Sequence, residues 1–325
     1  MQTRRQLICA AGWSVSAVAM GRANSLFAAD KIDLTVAGVR LGLITGSLNP
    51  PRIAAPDPPP APPTLDELIR DCVALGAANV EYTGPVIGKP VLIDGVIGQP
   101  PPVITDAYKR SREQVREWNL TAPLEPFREA RRRFDDAGLN LFSGVNTMAA
   151  DCTDEEIDAI FRQMDAMQVK IFCTNQTRLG IAPRMVRFAK KYNIKPAFHT
   201  HDKSENPDEV ASAESLEKLL TMSPLFMINL DIGHFTAGNQ DAVAFLKAHH
   251  DRITHLHIKD RKKNHGPNMP LGQGDTPIKE CLRLIRDNHY PIYAIVEREY
   301  PIPPGSTPVQ ETRKCLDYIK DALLT

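Results

Sequence analysis

Histidine and carboxylate side chains concentrate in four short runs in the second half of the chain. The runs cover residues 198–202, 229–234, 255–260 and 295–299. Alternate residues of an extended strand face the same side, so His199 shares a face with His201, and His255 shares one with His257. Mixed His, Asp and Glu side chains suit Mn²⁺, Zn²⁺, Fe²⁺ or Co²⁺ better than Ca²⁺, and the lack of a nearby thiolate leaves the choice among them open. The residues therefore predict a site for one divalent metal ion.

Apolar runs that alternate with helical patterns must position these side chains. We predict eight strands, at residues 39–45, 79–83, 140–145, 169–174, 196–200, 226–231, 253–258 and 292–297. Apolar residues with helical spacing lie between them, and two helical stretches, about 106–118 and 126–137, follow the second strand. Each of the four polar runs falls where one of the last four strands ends.

Eight strand–helix units predict a single-domain α/β protein with the (β/α)8 TIM-barrel fold, over residues 30–325. A doubly wound sheet is the alternative, but no Gly-rich dinucleotide turn or phosphate loop is present. Active residues of TIM barrels gather at the carboxyl ends of the strands. We therefore expect the four polar runs to meet at one mouth of the barrel.

Three motifs resemble those of a known family. Asp231-Ile232-Gly233-His234, His255-Leu256-His257-Ile258-Lys259-Asp260 and Ile295-Val296-Glu297 are similar to the last three strand motifs of the xylose isomerase-like TIM barrels. That group includes sugar phosphate isomerases and epimerases, inosose dehydratases and, more remotely, endonuclease IV. Gly272-Gln273-Gly274-Asp275 also resembles the Gly-x-Gly loop of the family.

The resemblance implies a metal ligand set and a type of reaction. Members usually hold one divalent ion with Glu, Asp, His and Glu from strands five to eight; Asp231, His257 and Glu297 match, whereas His199 replaces the first Glu. Epimerases of the family use two glutamates, so this replacement favours one base, Glu297, with His199 as an imidazole acid. The implied function is a metal-dependent isomerase, epimerase or lyase that acts on a sugar or keto sugar through an enediolate.

Four further residues are predicted to contact the substrate. His234 resembles a substrate-binding histidine of the family, and His201 either binds a substrate hydroxyl or orients a metal ligand. Glu81 ends the second strand and faces the same mouth, where it contacts substrate or an arginine. Lys259 at the mouth contacts substrate or pairs with Asp260.

Two other classes of function stay open, a barrel subunit that binds a carbohydrate without catalysis and an endonuclease IV-like phosphodiesterase. Lys and Arg number 39, as do Asp and Glu, so the zero net charge argues against a nucleic-acid partner. We expect a small sugar as the partner and no stable membrane insertion, because no apolar run is long enough for a transmembrane helix. A homo-oligomer is left open.

The first 29 residues predict an export signal. Arg4 and Arg5 precede a short Ala-rich apolar stretch, which is typical of a twin-arginine leader and indicates a periplasmic or exported protein. Pro-rich insertions at about 50–63 and 84–105 follow the first two strands, so we expect them on the active face, over the substrate or between subunits.

Overall fold

The fold is described by a computed structural model for residues 31–49, 63–83, 103–175, 178–203, 206 and 208–325. The predicted leader lies outside these described residues, as does nearly all of both predicted Pro-rich insertions. Among the helices that are described, none has the length and apolar character needed to span a membrane.

Eight parallel strands close into a barrel, which confirms the predicted fold class. In chain order, β1 to β8 are Val39–Ile44, Asn79–Tyr82, Asn140–Thr147, Ile171–Asn175, Lys195–His199, Met227–Asp231, Ile253–Ile258 and Tyr293–Val296. Each strand pairs with the next, and β8 pairs with β1 through Ala294 and Leu41, which closes the ring. The predicted bounds agree to within about two residues because these runs are buried on both faces.

Helices surround the barrel. In chain order, α1 to α10 are Leu65–Leu75, Asp106–Thr121, Glu125–Asp136, Asp154–Ala166, Ala182–Tyr192, Ala213–Met222, Ile232–Ala237, Ala242–His249, Ile278–Asp287 and Pro308–Leu324. Their first residues follow from capping chemistry: Thr64 begins α1 and Thr307 begins α10, each in a reciprocal capping box with the third helical residue. The two helical stretches predicted after β2 are confirmed as α2 and α3.

The main hydrophobic core lies between the outer faces of the strands and the helices. Inside the barrel, apolar groups fill the lower end. The Tyr293 ring stacks on Phe142 with centroids 4.5 Å apart, and the Arg40 guanidinium lies 3.8 Å from the centroid of Tyr293. The edge of His255 meets Phe142 above them, with a centroid distance of 5.4 Å. The polar upper half of the barrel is therefore closed to water from below.

Candidate metal centre at the barrel mouth

The four predicted metal ligands converge at the carboxyl ends of consecutive strands. Their donor atoms all lie within 4.8 Å of one another. His199 Nε2 is 3.4 Å from Asp231 Oδ2 and 3.7 Å from Glu297 Oε2. His257 Nδ1 is 3.0 Å from Glu297 Oε2.

This donor set fits a divalent ion. Donors at about 2.0–2.2 Å from a common ion stand about 3–3.6 Å apart in tetrahedral or octahedral geometry, close to the separations seen here. Two imidazoles and two carboxylates suit Zn²⁺, Mn²⁺, Fe²⁺ or Co²⁺, and the carboxylates match the charge of the ion. His199, Asp231, His257 and Glu297 are thus placed to hold it.

Local capping explains why Asp231 is fixed. Asp231 is the last residue of β6 and the N-cap of α7, and its Oδ1 accepts a hydrogen bond from the His234 backbone N–H at 2.7 Å. The Thr200 hydroxyl accepts a bond from the Asp231 backbone N–H at 2.9 Å. Oδ2 is left to face the metal centre, so the spacing of Asp231 and His234 reflects helix capping as well as chemistry.

The Lys259 ammonium lies beside the ligands. Its Nζ is 3.1 Å from Asp231 Oδ2, 2.8 Å from Glu297 Oε2 and 2.8 Å from Glu299 Oε2. Burial alone would lower the pKa of Lys259, but these carboxylates hold it above its usual range. Burial would raise the pKa of Glu297 and of Asp231, yet the lysine charge keeps both below their usual ranges. Both ligands are therefore ionised at neutral pH.

The two ligand histidines are set by their carboxylate neighbours in the same way. Burial opposes their charged forms, but Asp231 and Glu297 raise the pKa of His199, and Glu297 and Glu81 raise the pKa of His257 to about 10. A metal ion bound at Nδ1 of His257 would have to displace the proton from that nitrogen, so metal binding here would release protons.

His201 and His234 form the rim of the site. The centroid of the His201 ring lies 4.8 Å from the centroid of His199 and 5.2 Å from that of His234. Burial, followed by these two neighbouring rings, holds the pKa of His201 well below its usual range. His201 is therefore a neutral imidazole at the mouth.

Two charged residues of this rim, Asp202 and Arg261, were not predicted as site residues from the sequence. Arg261 Nη1 lies 2.7 Å from His234 Nδ1 and 3.0 Å from Asp202 Oδ2, and Lys259 Nζ lies 2.9 Å from His234 Nε2. The signal was present, because Arg261 continues the alternation of His257 and Lys259 past the end of β7.

The structure gives Lys259 and Glu81 partners other than the Asp260 and arginine pairings considered from the sequence. Lys259 does not pair with Asp260, whose carboxylate instead accepts backbone N–H groups of Gly272, Gly274 and Thr276 at 2.8, 2.8 and 3.2 Å. Asp260 therefore holds the Gly-x-Gly loop against the barrel.

Glu81 points into the barrel as predicted, but it lies below the mouth and is fully buried. Its oxygens contact His257 Nε2 and His255 Nε2, each at 2.8 Å, and not an arginine. This burial disfavours the substrate contact predicted for Glu81, because both of its oxygens meet histidine rings inside the barrel. His255 occupies the deeper layer, where its Nδ1 lies 2.8 Å from the Thr254 hydroxyl.

The second half of the chain is similar to a known family profile and to curated proteins. Residues 183–321 match the family profile described as "Xylose isomerase-like TIM barrel". Inosose dehydratase from Clostridium perfringens is 28% identical over 152 residues, which are 41% of this chain and 50% of that protein. The chain thus matches about half the length of this curated relative.

Solved structures share the fold over most of the chain. The IolI protein, in a structure with a bound zinc atom, superposes with a TM-score of 0.58 at 14% identity, covering 87% of this chain and 97% of that one. The 3-keto-D-glucoside 4-epimerase YcjR from E. coli gives 0.55 at 12% identity, covering 86% and 98%. These likenesses establish the eight-stranded barrel.

Proposed function

We propose that this protein is a divalent-metal-dependent isomerase, epimerase or lyase that acts on a sugar or keto sugar through an enediolate intermediate. The observation that carries the proposal is the convergence of His199, Asp231, His257 and Glu297 from four consecutive strands at the barrel mouth. The relatives that are dehydratases and epimerases, and the bound zinc of the IolI barrel, support it.

Glu297 is the proposed base. Its contacts with His199, His257 and Lys259 all go through Oε2, so Oε1 is left to take a proton from the carbon next to the substrate carbonyl. Its lowered pKa keeps it ionised for this role. A divalent ion held by the four ligands would supply a Lewis acid that polarises the carbonyl. Lys259 and His234 stabilise negative charge that develops on the substrate.

The identity of residue 199 favours a lyase or an isomerase over a two-glutamate epimerase. Returning a proton to the opposite face is best done by a second carboxylate, and this position holds an imidazole. The imidazoles of His199 and His234 lie at the mouth beside the neutral ring of His201, and these two are the proposed acids for protonation of a departing hydroxyl. We therefore propose loss of water from a keto sugar as the first reaction to test.

Metal analysis tests the centre itself. Purified protein should carry about one equivalent of Mn, Zn, Fe or Co, and His257→Ala should lose it, because a ligand and its charge balance are removed. Absence of metal from the wild type after loading with each ion would instead favour the carbohydrate-binding barrel. DNA binding that weakens with salt would favour the phosphodiesterase.

Replacement of the base tests the reaction. Glu297→Gln should lower the rate at which solvent deuterium exchanges into a keto sugar that the protein turns over. The expected loss is at least about a hundredfold, since general-base catalysis contributes about 10²–10⁴ to a rate. Mass spectrometry of the recovered sugar measures the exchange. Glu217→Gln on α6, whose side chain is 59% exposed, is the control and should exchange at the wild-type rate. Undiminished exchange in Glu297→Gln would refute this role.

We also propose that the protein is exported in its folded state by the twin-arginine route. The basis is Arg4 and Arg5 ahead of the apolar stretch, in residues that the structure does not describe. Replacing both arginines with lysine should leave the protein in the cytoplasm of a bacterial host, as cell fractionation would measure. Export of the doubly substituted protein would contradict the assignment.

A further inference from the structure

The ring of His257 bridges two carboxylates, one on each side. Its Nδ1 faces Glu297 Oε2 at 3.0 Å in the metal centre, and its Nε2 faces Glu81 Oε1 at 2.8 Å in the layer below. Glu81 and His257 are 0% and 1% exposed. The contact on the lower side is therefore made away from water, where it is strong and costly to leave unpaired.

The lower carboxylate decides which ring nitrogen carries a proton. An ionised carboxylate only accepts hydrogen bonds, so a contact of 2.8 Å with Nε2 requires a proton on Nε2. A bare Nε2 would set two lone pairs against each other in a dry interior. With Nε2 protonated, the neutral ring keeps its lone pair on Nδ1, which points at the metal centre. Asn229 Nδ2 lies 3.0 Å from Nε2 and 3.3 Å from Cys173 Sγ, while Asn229 Oδ1 has no hydrogen-bond partner. A proton on Nε2 therefore requires the Asn229 amide to be flipped, which turns Oδ1 toward that proton.

His255 holds the other oxygen of the same carboxylate. Glu81 Oε2 lies 2.8 Å from His255 Nε2, although the two atoms are not aligned for a hydrogen bond. His255 Nδ1 lies 2.8 Å from the Thr254 hydroxyl, which donates to the Ile228 carbonyl oxygen at 3.2 Å. Both Glu81 oxygens therefore face histidine rings in the buried interior, one in a hydrogen bond to His257 and one in close contact with His255.

We infer that Glu81 is a positioning residue for the metal centre, because it holds His257 as the Nε2–H tautomer and aims Nδ1 at the ion. This inference rests on the metal centre of the proposed function. Glu81 contacts neither the substrate nor the ion; it acts through His257, as outer carboxylates that orient ligand histidines do.

Cobalt binding tests the inference without reference to turnover. Co²⁺ affinity is measured by competition with a chelator, and the visible absorption of the bound ion reports ligand geometry. Glu81→Gln should bind Co²⁺ about 10–100-fold more weakly with a changed spectrum, as losses of outer carboxylates do. Glu217→Gln on α6, whose side chain is 59% exposed, is the control and should keep the wild-type affinity.

A measurement on the wild-type protein tests the inference even if Glu81→Gln does not fold. Protein with ¹⁵N-labelled histidine, loaded with Zn²⁺, should give an NMR signal for His257 with the proton on Nε2 and the ion on Nδ1. A proton on Nδ1 would overturn the inference, as would unchanged Co²⁺ affinity in Glu81→Gln, and either result leaves the proposed function standing.

Two further outcomes distinguish a failure of the positioning role from a failure of the proposed metal centre. Failure of the wild type to bind Co²⁺ at all would overturn both the inference and the proposed function. Two bound equivalents in the wild type with one lost in Glu81→Gln would make Glu81 a ligand of a second, deeper ion, and would overturn its positioning role.

Discussion

Lys259 occupies an unusual position for a lysine, since its side chain is 2% exposed and its ammonium contacts two proposed metal ligands. Burying such a charge is costly unless it is paired, and Asp231 and Glu297 supply the pairing. The same two carboxylates carry the charge that a divalent ion would neutralise. The lysine and the ion therefore act on one pair of carboxylates.

Removal of the lysine charge should make the protein depend more strongly on metal. In Lys259→Met, Asp231 and Glu297 lose their cation, so the metal-free protein should lose about 3–5 kcal/mol, the usual cost of breaking a buried pair. Thermal unfolding with and without Zn²⁺ should give a larger gain in Tm on metal addition than in the wild type. Glu299→Gln, which removes the 47% exposed partner of Lys259, is the control and should match the wild type. An equal metal-induced gain in Tm for Lys259→Met would contradict the shared role.

Asp260 sets the position of the loop that follows β7. Three backbone N–H groups, from Gly272, Gly274 and Thr276, converge on its carboxylate. A side chain at position 274 would meet Asp260 and the Arg261 carbonyl, so the close approach of backbone to carboxylate requires glycine there. The carboxylate thus ties the glycines to the short antiparallel ladder that pairs Asp260–Arg261 with Asn268–Met269.

Loss of this carboxylate should loosen the loop. Asp260→Ala leaves three N–H groups without an acceptor, and we expect a loss of about 2–4 kcal/mol in the free energy of unfolding, since hydrogen bonds to charged groups contribute about 1.5–3 kcal/mol each and do not add. Urea unfolding gives the stability, and limited proteolysis should cut near Gly272. Asp275→Ala, at a side chain that is 38% exposed, should cost less than about 1 kcal/mol. Equal stability of the two variants would contradict the role of Asp260.

The packing of α2 on α4 depends on a buried ion pair. Arg112 on α2 donates to both oxygens of Glu156 on α4, at 3.0 and 2.8 Å, and Asn119 donates at 2.7 Å. Burial would raise the pKa of Glu156, but these donors lower it below its ordinary value of 4.5. A carboxyl with a lowered folded pKa stabilises the fold above its unfolded pKa and loses that contribution as pH falls through the folded value.

Acid unfolding should show this sign. Glu156→Gln should be destabilised by about 3–5 kcal/mol at pH 7, and its deficit relative to the wild type should shrink as pH falls below 4.5. Urea midpoints measured from pH 7 to pH 2 give the comparison. A deficit that stays constant over this range would show that the loss comes from packing and not from charge.

Closure of the barrel buries the five cysteines of the described residues, which are Cys72, Cys152, Cys173, Cys281 and Cys315. Burial raises the pKa of Cys72 and of Cys152 to about 12 and that of Cys173 well above its usual range. The thiolate is the reactive form, so the folded barrel holds these thiols unreactive.

Alkylation should therefore report opening of the whole barrel. In native protein at pH 8, these five cysteines should resist iodoacetamide for hours, and all should react within minutes in guanidinium chloride. Peptide mass spectrometry identifies each labelled position. Rapid labelling of one of them in native protein would locate a local opening that the closed barrel does not predict.

The alternation of eight apolar runs with helical patterns determines the barrel, because the period of a sequence reports directly which faces are buried. The same local logic predicts that the four polar runs meet, since parallel strands bring their carboxyl ends to one mouth. The choice of His199, Asp231, His257 and Glu297 within those runs follows from the resemblance to the xylose isomerase-like barrels.

Only the tertiary structure decides which side chains contact one another inside the barrel. Glu81 lies 176 residues from His257, and only ring closure between distant strands sets it beneath that histidine instead of beside the substrate. Asp260 binds backbone groups of a loop, and Lys259 turns to Glu297 on the neighbouring strand, because contacts there depend on depth and side-chain reach. Period-two alternation tells which side chains enter the barrel, whereas the layer each one occupies and the group it meets follow from the stagger of all eight strands.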